Sequence, residues 1–421
     1  MIGFAGDHAP KRNDGVDIAA CCKRLADRGQ FECAGRLNDA EVCVRTTGAP
    51  EALDRSVAQR TGDPVVVSAY RQAHTQARSI CFWSDLIVHV SRSASYTMAP
   101  VQALALKLIS AIRLTRLTMA FGAISDVWFV ILLTRATGVY PEVIRVAHIS
   151  LVFALGAGAV VAIGLFAYGA ALNDVLDVRH DSTFRPDRPI PAGRIRLGQA
   201  IVVTIGALII TVVASAAMGL PALWIMLLVA GAILFYNAAG KYIPSVGCVT
   251  IGLIHAAHML IPNVQLTFTL PVWLVMTHAM GIAAAVHILE DKRPRLTRGG
   301  ILALGAGWIF WSGLIIAYGV GHGGLWPRGM PWWAMLWPLA AVVAFVMIAI
   351  WKAGGVQGAA ASEKLKRYGA MWQALYGAAW LVAWGHEMQA AALTVLAIGG
   401  FTAMTIIKEI TGLSGRPIVY R

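Results

Sequence analysis

Charge is what this sequence has least of: 14% of its 421 residues are Asp, Glu, Lys or Arg, against 57% that are hydrophobic. A soluble domain carries about 25% charged residues, so a water-facing surface could not be covered, and the bilayer is the expected solvent. Cysteine is scarce and unpatterned. Cys21, Cys22, Cys33, Cys43 and Cys81 fall in the first quarter and Cys248 in an apolar stretch, with no paired metal-ligand spacing and no disulfide framework. No basic segment leads into an apolar h-region, so a signal peptide is not expected. The net charge of +13 comes without an aromatic-rich RNA motif or a zinc knuckle, and nucleic acid is not an expected partner.

Long apolar runs are what the chain does have. A membrane-spanning helix needs about 20 apolar residues, and candidates run over 112–134, 146–172, 199–219, 221–237, 246–263, 271–289, 300–320, 331–352, 369–386 and 388–407. The last two are separated by little more than Gly385, His386 and Glu387, so the expected fold is all-α, a polytopic bundle of nine or ten spans around a central cavity. Residues 1–95 differ from the rest: polar, rich in Arg, Asp and Gly, and without sustained periodicity. A disordered extension, a small extra domain and a start codon set too far upstream (Met98 precedes the first span) all fit them. They are expected to be poorly ordered and to carry no chemistry.

Basic residues are distributed by loop. One set of alternate loops holds seventeen, including Arg179, Arg196, Arg298, Lys364 and Arg416, while the other holds Arg135, Arg145 and Arg328. That bias places both termini in the cytoplasm.

Chemistry concentrates after the second span, where Asn173-Asp174-Val-Leu-Asp177-Val-Arg-His-Asp181 runs into Arg185-Pro-Asp-Arg188-Pro-Ile-Pro-Ala-Gly193-Arg194. On a continuing helix, Asp174, Asp177 and Asp181 share one face and repel one another, which asks for a cation. Oxygen-only ligands suit Mg²⁺, which keeps waters and bridges to phosphates. The plainer alternative is a charged cytoplasmic loop, but carboxylates in helical register at a membrane boundary are costly to hold there. A second segment reads Tyr236-Asn-Ala-Ala-Gly-Lys241, and a third, after the sixth span, His287-Ile-Leu-Glu290-Asp291-Lys292-Arg293.

The Asn-Asp-x-x-Asp-x-x-x-Asp pattern with its Arg-Pro-Ile-Pro-x-Gly-Arg trailer resembles the first aspartate-rich motif of the UbiA-type intramembrane prenyltransferases. The resemblance covers roughly 105–390 and assigns 96–421 to a UbiA-like membrane domain. It implies an isoprenoid diphosphate donor bound through Mg²⁺ at Asn173, Asp174, Asp177 and Asp181, with Arg188 and Arg194 as nearby positive charge. It also implies a lysine on the diphosphate, for which Lys241 stands one residue farther from Tyr236 than the family spacing. At the third segment Glu290 and Asp291 would hold a second Mg²⁺ and one of them would accept a proton, giving Asp174, Asp177 and Asp291 as catalytic candidates. His287 stands where the family has an aspartate, which leaves open a reduced metal site or a branch that has changed or lost catalysis. The implied activity is prenyl transfer to a lipid-soluble, aromatic acceptor in a bacterial inner (cytoplasmic) membrane, with membrane lipid around it and the site facing the cytoplasm. A non-catalytic or transport-related protein on the same scaffold is the rival.

Within the spans, Asp126 is an ionisable group and so a candidate site residue, or a partner for a polar residue on another helix. His255, His258 and His278 could build a transition-metal site, but hydrogen bonding between helices, with Asn263 in the same lining, is the expected role. Trp326, Trp332, Trp333 and Trp337 mark an interfacial belt.

Overall fold

The computed structural model describes residues 32–37, 40–44, 120–138 and 142–413. The expectations for the rest of residues 1–95, for Met98, for the start of the first span with Arg113 and Arg116, and for Arg416 and Arg421 lie outside the described residues. The chain divides into two units, Met1–Leu104 and Ala105–Arg421. In the first, β1 (Glu32–Leu37) pairs antiparallel with β2 (Ala40–Val44), with a register irregularity between Cys33 and Arg36. Strands of five and six residues broken by such a slip leave little alternation to read in sequence.

The second unit is helical throughout its described residues: α1 (Ala120–Thr137), α2 (Leu151–Leu176), α3 (Val178–Phe184), α4 (Leu197–Ala217), α5 (Leu220–Ala238), α6 (Pro244–Met259), α7 (Leu270–Leu289), α8 (Arg298–Gly321), α9 (Leu336–Ala353), α10 (Gly358–Ala383) and α11 (Glu387–Leu413). Local chemistry sets many of the ends. Ser150 and Thr297 cap α2 and α8 by accepting from the backbone N–H of Phe153 and Gly300. Proline opens α5, α6 and α7, where its missing N–H would have had no partner. Between α4 and α5 the turn is made at Gly219, whose φ of 116° suits a residue without a β-carbon.

Among the described residues eight helices, the seventh counted from Trp332 through α9, are long and apolar enough to cross a membrane. The protein is an integral membrane protein. Two further long helices fall outside that test, α6 with 16 residues and α10 with Glu363, Lys364, Lys366 and Arg367 near its start. Sequence alone starts the α10 span at 369 because that charged turn reads as loop; the helix begins eleven residues earlier, at Gly358.

Packing explains why these two are less apolar. Helices α1, α2, α5, α6, α7 and α10 each pack on the next, and α10 returns to α1, so the six close a ring. Outside it, α4 packs on α2 and α5, α8 on α6 and α7, α9 on α10, and α11 on α10 and α1. Burial follows this division: 72% of the apolar window of α1 is buried but only 6% of that of α8. The outer helices present Val202, Ile209, Leu302, Phe310, Ile350 and Trp351 outward, as lipid requires. Trp332, Trp333 and Trp337 are also exposed, around the start of α9, whereas Trp326, expected in the same belt, packs partly buried against the core and donates to Met330 O.

Ring helices approach closely where glycine permits it. A β-carbon on Gly122 of α1 would stand 2.9 Å from the Ala370 carbonyl oxygen and 2.6 Å from Gln373 Oε1, both on α10. On Gly252 of α6 it would stand 2.9 Å from the Met276 carbonyl of α7. Without a hydrophobic force between helices in lipid, such contacts carry much of the association. Gly122→Val should therefore destabilise the bundle by about 1–3 kcal/mol through overpacking, read as a lowered thermal unfolding midpoint in detergent, whereas Gly281→Ala, which meets nothing within 4 Å, should leave it nearly unchanged.

Candidate functional site

The six-helix ring surrounds a cavity of about 830 Å³. Its sides are apolar, with Leu165, Phe166, Ile233, Ile251 and Ile282. One end is charged: six cationic side chains (Arg185, Arg188, Lys241, Lys292, Arg293, Lys366) line it against four carboxylates (Asp177, Asp181, Glu290, Asp291). An excess of positive charge beside an apolar chamber suits an anion with a hydrocarbon tail.

The first acidic motif lies where α2 runs into α3. Helical hydrogen bonding continues through the break, with Asp177 N–H donating to Asn173 O at 2.9 Å and Asp181 N–H to Asp177 O at 2.8 Å. Asp174 and Asp181 therefore stay on one side, both buried, and a single nitrogen serves them: Arg188 Nη1 lies 2.9 Å from Asp174 Oδ1 and 2.7 Å from Asp181 Oδ2. Asn173 Nδ2 donates weakly to Asp174 at 3.4 Å. The prolines after Arg185 end α3 and fold the chain back, which brings Arg188 within reach. Asp177 takes a different partner, Lys241 Nζ at 2.6 Å, joining the α2 end to the turn between α5 and α6. Of these predicted residues, Asn173, Asp177, Asp181, Arg188 and Lys241 line the cavity; Asp174 is buried in contact with Arg188. Arg194 does not line it, and its backbone N–H closes the turn onto Pro189 O.

The second motif ends α7. Glu290 faces α10, where Ser362 Oγ donates at 2.5 Å and Lys366 Nζ at 2.7 Å to Oε1, while Lys292 Nζ lies 3.2 Å from Oε2. Burial raises the Glu290 pKa, but the hydrogen bonds from Lys366 and Ser362 and the charges of Lys292 and Lys366 outweigh it and hold the carboxyl at about 2. Asp291 follows with φ 43°, the left-handed position that commonly closes a helix, and the Lys292 N–H donates back to His287 O. Its exposed carboxylate is gripped by Arg295 Nε at 2.8 Å and Nη2 at 3.1 Å, and the Arg295 hydrogen bond holds it below the usual carboxylate range. His287 lines the cavity with its Nε2 2.9 Å from Pro294 O.

Among the described residues, no three Asp, Glu, His or Cys side chains converge as a metal-binding group. The pair Asp174 and Asp181, already sharing one cationic nitrogen, is the oxygen-only donor set that fits Mg²⁺, an ion that keeps several waters and needs only one or two carboxylates.

Deeper in the cavity the lining turns polar again. His255 Nδ1 lies 2.9 Å from Gln373 Nε2 and 3.4 Å from Asp126 Oδ2, and Gln373 reaches Asp126 at 3.5 Å. His278 Nε2 meets Gly369 O at 3.1 Å and its Nδ1 meets Tyr376 Oη at 3.2 Å. Asn263 donates to Thr134 at 3.0 Å. The His255 and His278 contacts are helix-to-helix hydrogen bonds, the role expected of them. Asn263, by contrast, donates from the loop before α7 and outside the cavity lining, and buried His258 Nε2 has no hydrogen-bond partner among the described residues. Sequence reasoning missed the α10 partners Ser362, Lys366, Gln373 and Tyr376. Their signal was present, since 362, 366, 369 and 373 form a polar and small stripe at helical spacing, but half of it lay outside the span as drawn.

The sign of the pH dependence follows from the depressed Glu290 pKa. The stability contributed by its bridge to α10 is present in full above the ordinary glutamate pKa of about 4.3 and lost as pH falls toward 2. Thermal unfolding of wild type and Glu290→Gln should therefore differ by a constant amount between pH 5 and 8 and converge at the acid end.

Comparison with known proteins identifies the family. A family model described as the UbiA prenyltransferase family matches residues 127–375. A digeranylgeranylglyceryl phosphate synthase of Metallosphaera sedula is 40% identical over 70 residues, 17% of this chain and 25% of that one. A protein of the same name from Methanosarcina barkeri is 61% identical over 33 residues, 8% and 11% of the two chains. The chain thus matches a quarter or less of the length of these curated relatives. Among solved structures, a UbiA homolog from Archaeoglobus fulgidus bound to GPP and Mg²⁺ is 13% identical, with 70% of this chain and 99% of that chain covered and a TM-score of 0.35. The apo UbiA homolog from Aeropyrum pernix is 17% identical, with 70% and 98% covered and a TM-score of 0.34. With the family model spanning more than half of its length, this chain belongs to the UbiA prenyltransferase family.

Proposed function

We propose that the protein is a Mg²⁺-dependent prenyltransferase that moves the prenyl group of an isoprenoid diphosphate to a lipid-soluble acceptor inside the membrane. The observation that carries this reading is the cavity itself, whose apolar sides open at one end onto six cationic side chains, one of them, Arg188, shared by Asp181 of the lining and the buried Asp174. A diphosphate fits the charged end and its hydrocarbon tail the apolar sides.

Asp174 and Asp181 would hold the metal, with Asp177 beside them, and when bound Mg²⁺ supplies charge neutralisation to the leaving diphosphate. Arg188 and Lys241, which now balance the carboxylates, are the donors that would face phosphate oxygens, with Asn173 as a neutral hydrogen-bonding neighbour. As the allylic C–O bond breaks, fixed cations aimed at the departing oxygens stabilise the developing charge. The apolar walls exclude water that would otherwise quench the allylic cation. Sequence resemblance favours an aromatic acceptor, while the two relatives carry a glyceryl phosphate in their names; both acceptor classes belong in the assay.

The seventeen-to-three distribution of basic residues between alternate loops supports a cytoplasmic membrane with the charged mouth facing the cytoplasm. A single cysteine at position 187, in a cysteine-free background, should react with a membrane-impermeant thiol reagent only when the cytoplasmic face is accessible. Labelling from outside would reverse the topology. For the activity, purified protein is supplied with radiolabelled isoprenoid diphosphates of several chain lengths, Mg²⁺, and a panel of aromatic and glyceryl lipids. Transfer should fall by about 100-fold or more in Asp174→Ala and Asp177→Ala, on the scale of losing electrostatic stabilisation of a leaving group. Absence of turnover across the panel, or variants equal to wild type, would favour the non-catalytic alternative.

A further inference from the structure

The two acidic motifs are not built alike, and the difference bears on how the proposed diphosphate site is completed. At the first, two carboxylates aim at one nitrogen of Arg188. At the second, no cation is shared between Glu290 and Asp291 among the described residues. Glu290 is turned to α10 and fastened by Ser362 and Lys366, and its side chain is 13% exposed. Asp291 lines the mouth of the cavity but is 60% exposed, gripped by Arg295 and 3.5 Å from Arg293. The third position is His287, already bonded to Pro294 O. These segments do not offer the converging oxygens a hard divalent ion requires. Beside these already engaged carboxylates, the cavity is lined here by Lys292 and Arg293 and, from α10, by Lys366.

We propose, resting on the prenyl-diphosphate reading above, that Mg²⁺ is held at the first motif alone and that a cationic subsite of Lys366, Lys292 and Arg293 takes the place of a second metal on the diphosphate. With Arg295 on Asp291, these three cations outnumber the carboxylates of Glu290 and Asp291 by two, the charge of a divalent ion, without needing converging carboxylate oxygens. Lys366 is the centre of this subsite. Its side chain is 15% exposed, so its charge is weakly screened where it lines the cavity. Glu290 is then a positioning residue: with Ser362, it fixes the α7 end against α10 and holds the Lys366 ammonium in place.

The test counts metal and measures anion affinity separately. Full-length protein in lipid nanodiscs is titrated with Mn²⁺ in place of Mg²⁺, with inorganic pyrophosphate or geranylgeranyl S-thiolodiphosphate, and free Mn²⁺ is read by electron paramagnetic resonance. The expected result is one Mn²⁺ per chain, retained in Glu290→Gln and Asp291→Asn and lost in Asp174→Asn with Asp181→Asn. Lys366→Met should weaken both anions by roughly tenfold or more, as loss of a charge-assisted contact does, while keeping the single Mn²⁺, and Lys366→Arg should restore part of the affinity. Asp291→Asn carries the count if Glu290→Gln fails to fold, since the Asp291 side chain is exposed. Two Mn²⁺ per chain, with one lost in either second-motif variant, would overturn the inference, as would unchanged anion affinity in Lys366→Met. If neither anion binds wild type, the prenyl-diphosphate reading fails and takes this inference with it.

Discussion

A carboxylate brought to the edge of a bilayer loses much of its hydration and must find positive charge or give up its own. At the charged end of this cavity that requirement is met across long stretches of sequence. Asp177 at the end of α2 is paired with Lys241 between α5 and α6, and Glu290 at the end of α7 is paired with Lys366 near the start of α10. Arg188 holds Asp174 and Asp181 together after the chain has turned back on itself. The Asp177–Lys241 and Glu290–Lys366 pairs tie together ring elements at the place where a bundle without a hydrophobic driving force has least to hold it. The same ions that organise the mouth also give it the charge that makes it a site for an anion, so stability and proposed chemistry draw on one set of groups.

How far this could be read in the sequence depended on whether a feature was local. The helices were legible because each apolar run is its own signal, and the first acidic motif because three aspartates at helical spacing sit beside one another in the chain. Arg188 could be nominated from the proline-rich trailer, although its position between Asp174 and Asp181 depends on how the turn after α3 folds. Ser362, Lys366 and Gln373 could not be nominated in the same way. Their importance lies in partners 72, 76 and 118 residues away, on α7 and α6, and nothing near them in sequence announces those contacts.

The second motif shows the opposite error, a local pattern that overstates convergence. His287, Glu290 and Asp291 at positions i, i+3 and i+4 share a face on an ideal helix. The helix stops at Leu289, however, and Asp291 adopts a left-handed backbone conformation, and its carboxylate pairs with Arg295 while that of Glu290 pairs with Lys366. Spacing arguments presume that the helix continues. At the first motif it does continue, through α3, and the aspartates stay together.

The order of the ring helices along the chain carries one more consequence. Because α10 closes against α1 and α7, and those helices are separated from it by the outer pair α8 and α9, the enclosed chamber cannot exist until nearly 383 residues have been synthesised and inserted. Before then Asp126 and His255 lack Gln373, Glu290 lacks Lys366, and the interior is open to lipid along one whole side. Biogenesis thus has a late step, the entry of α10 with Glu363, Lys364, Lys366 and Arg367 near its start. A chain stalled short of α10 would be a membrane-inserted fragment with its polar groups uncovered, the kind of species that quality control in the membrane is built to remove.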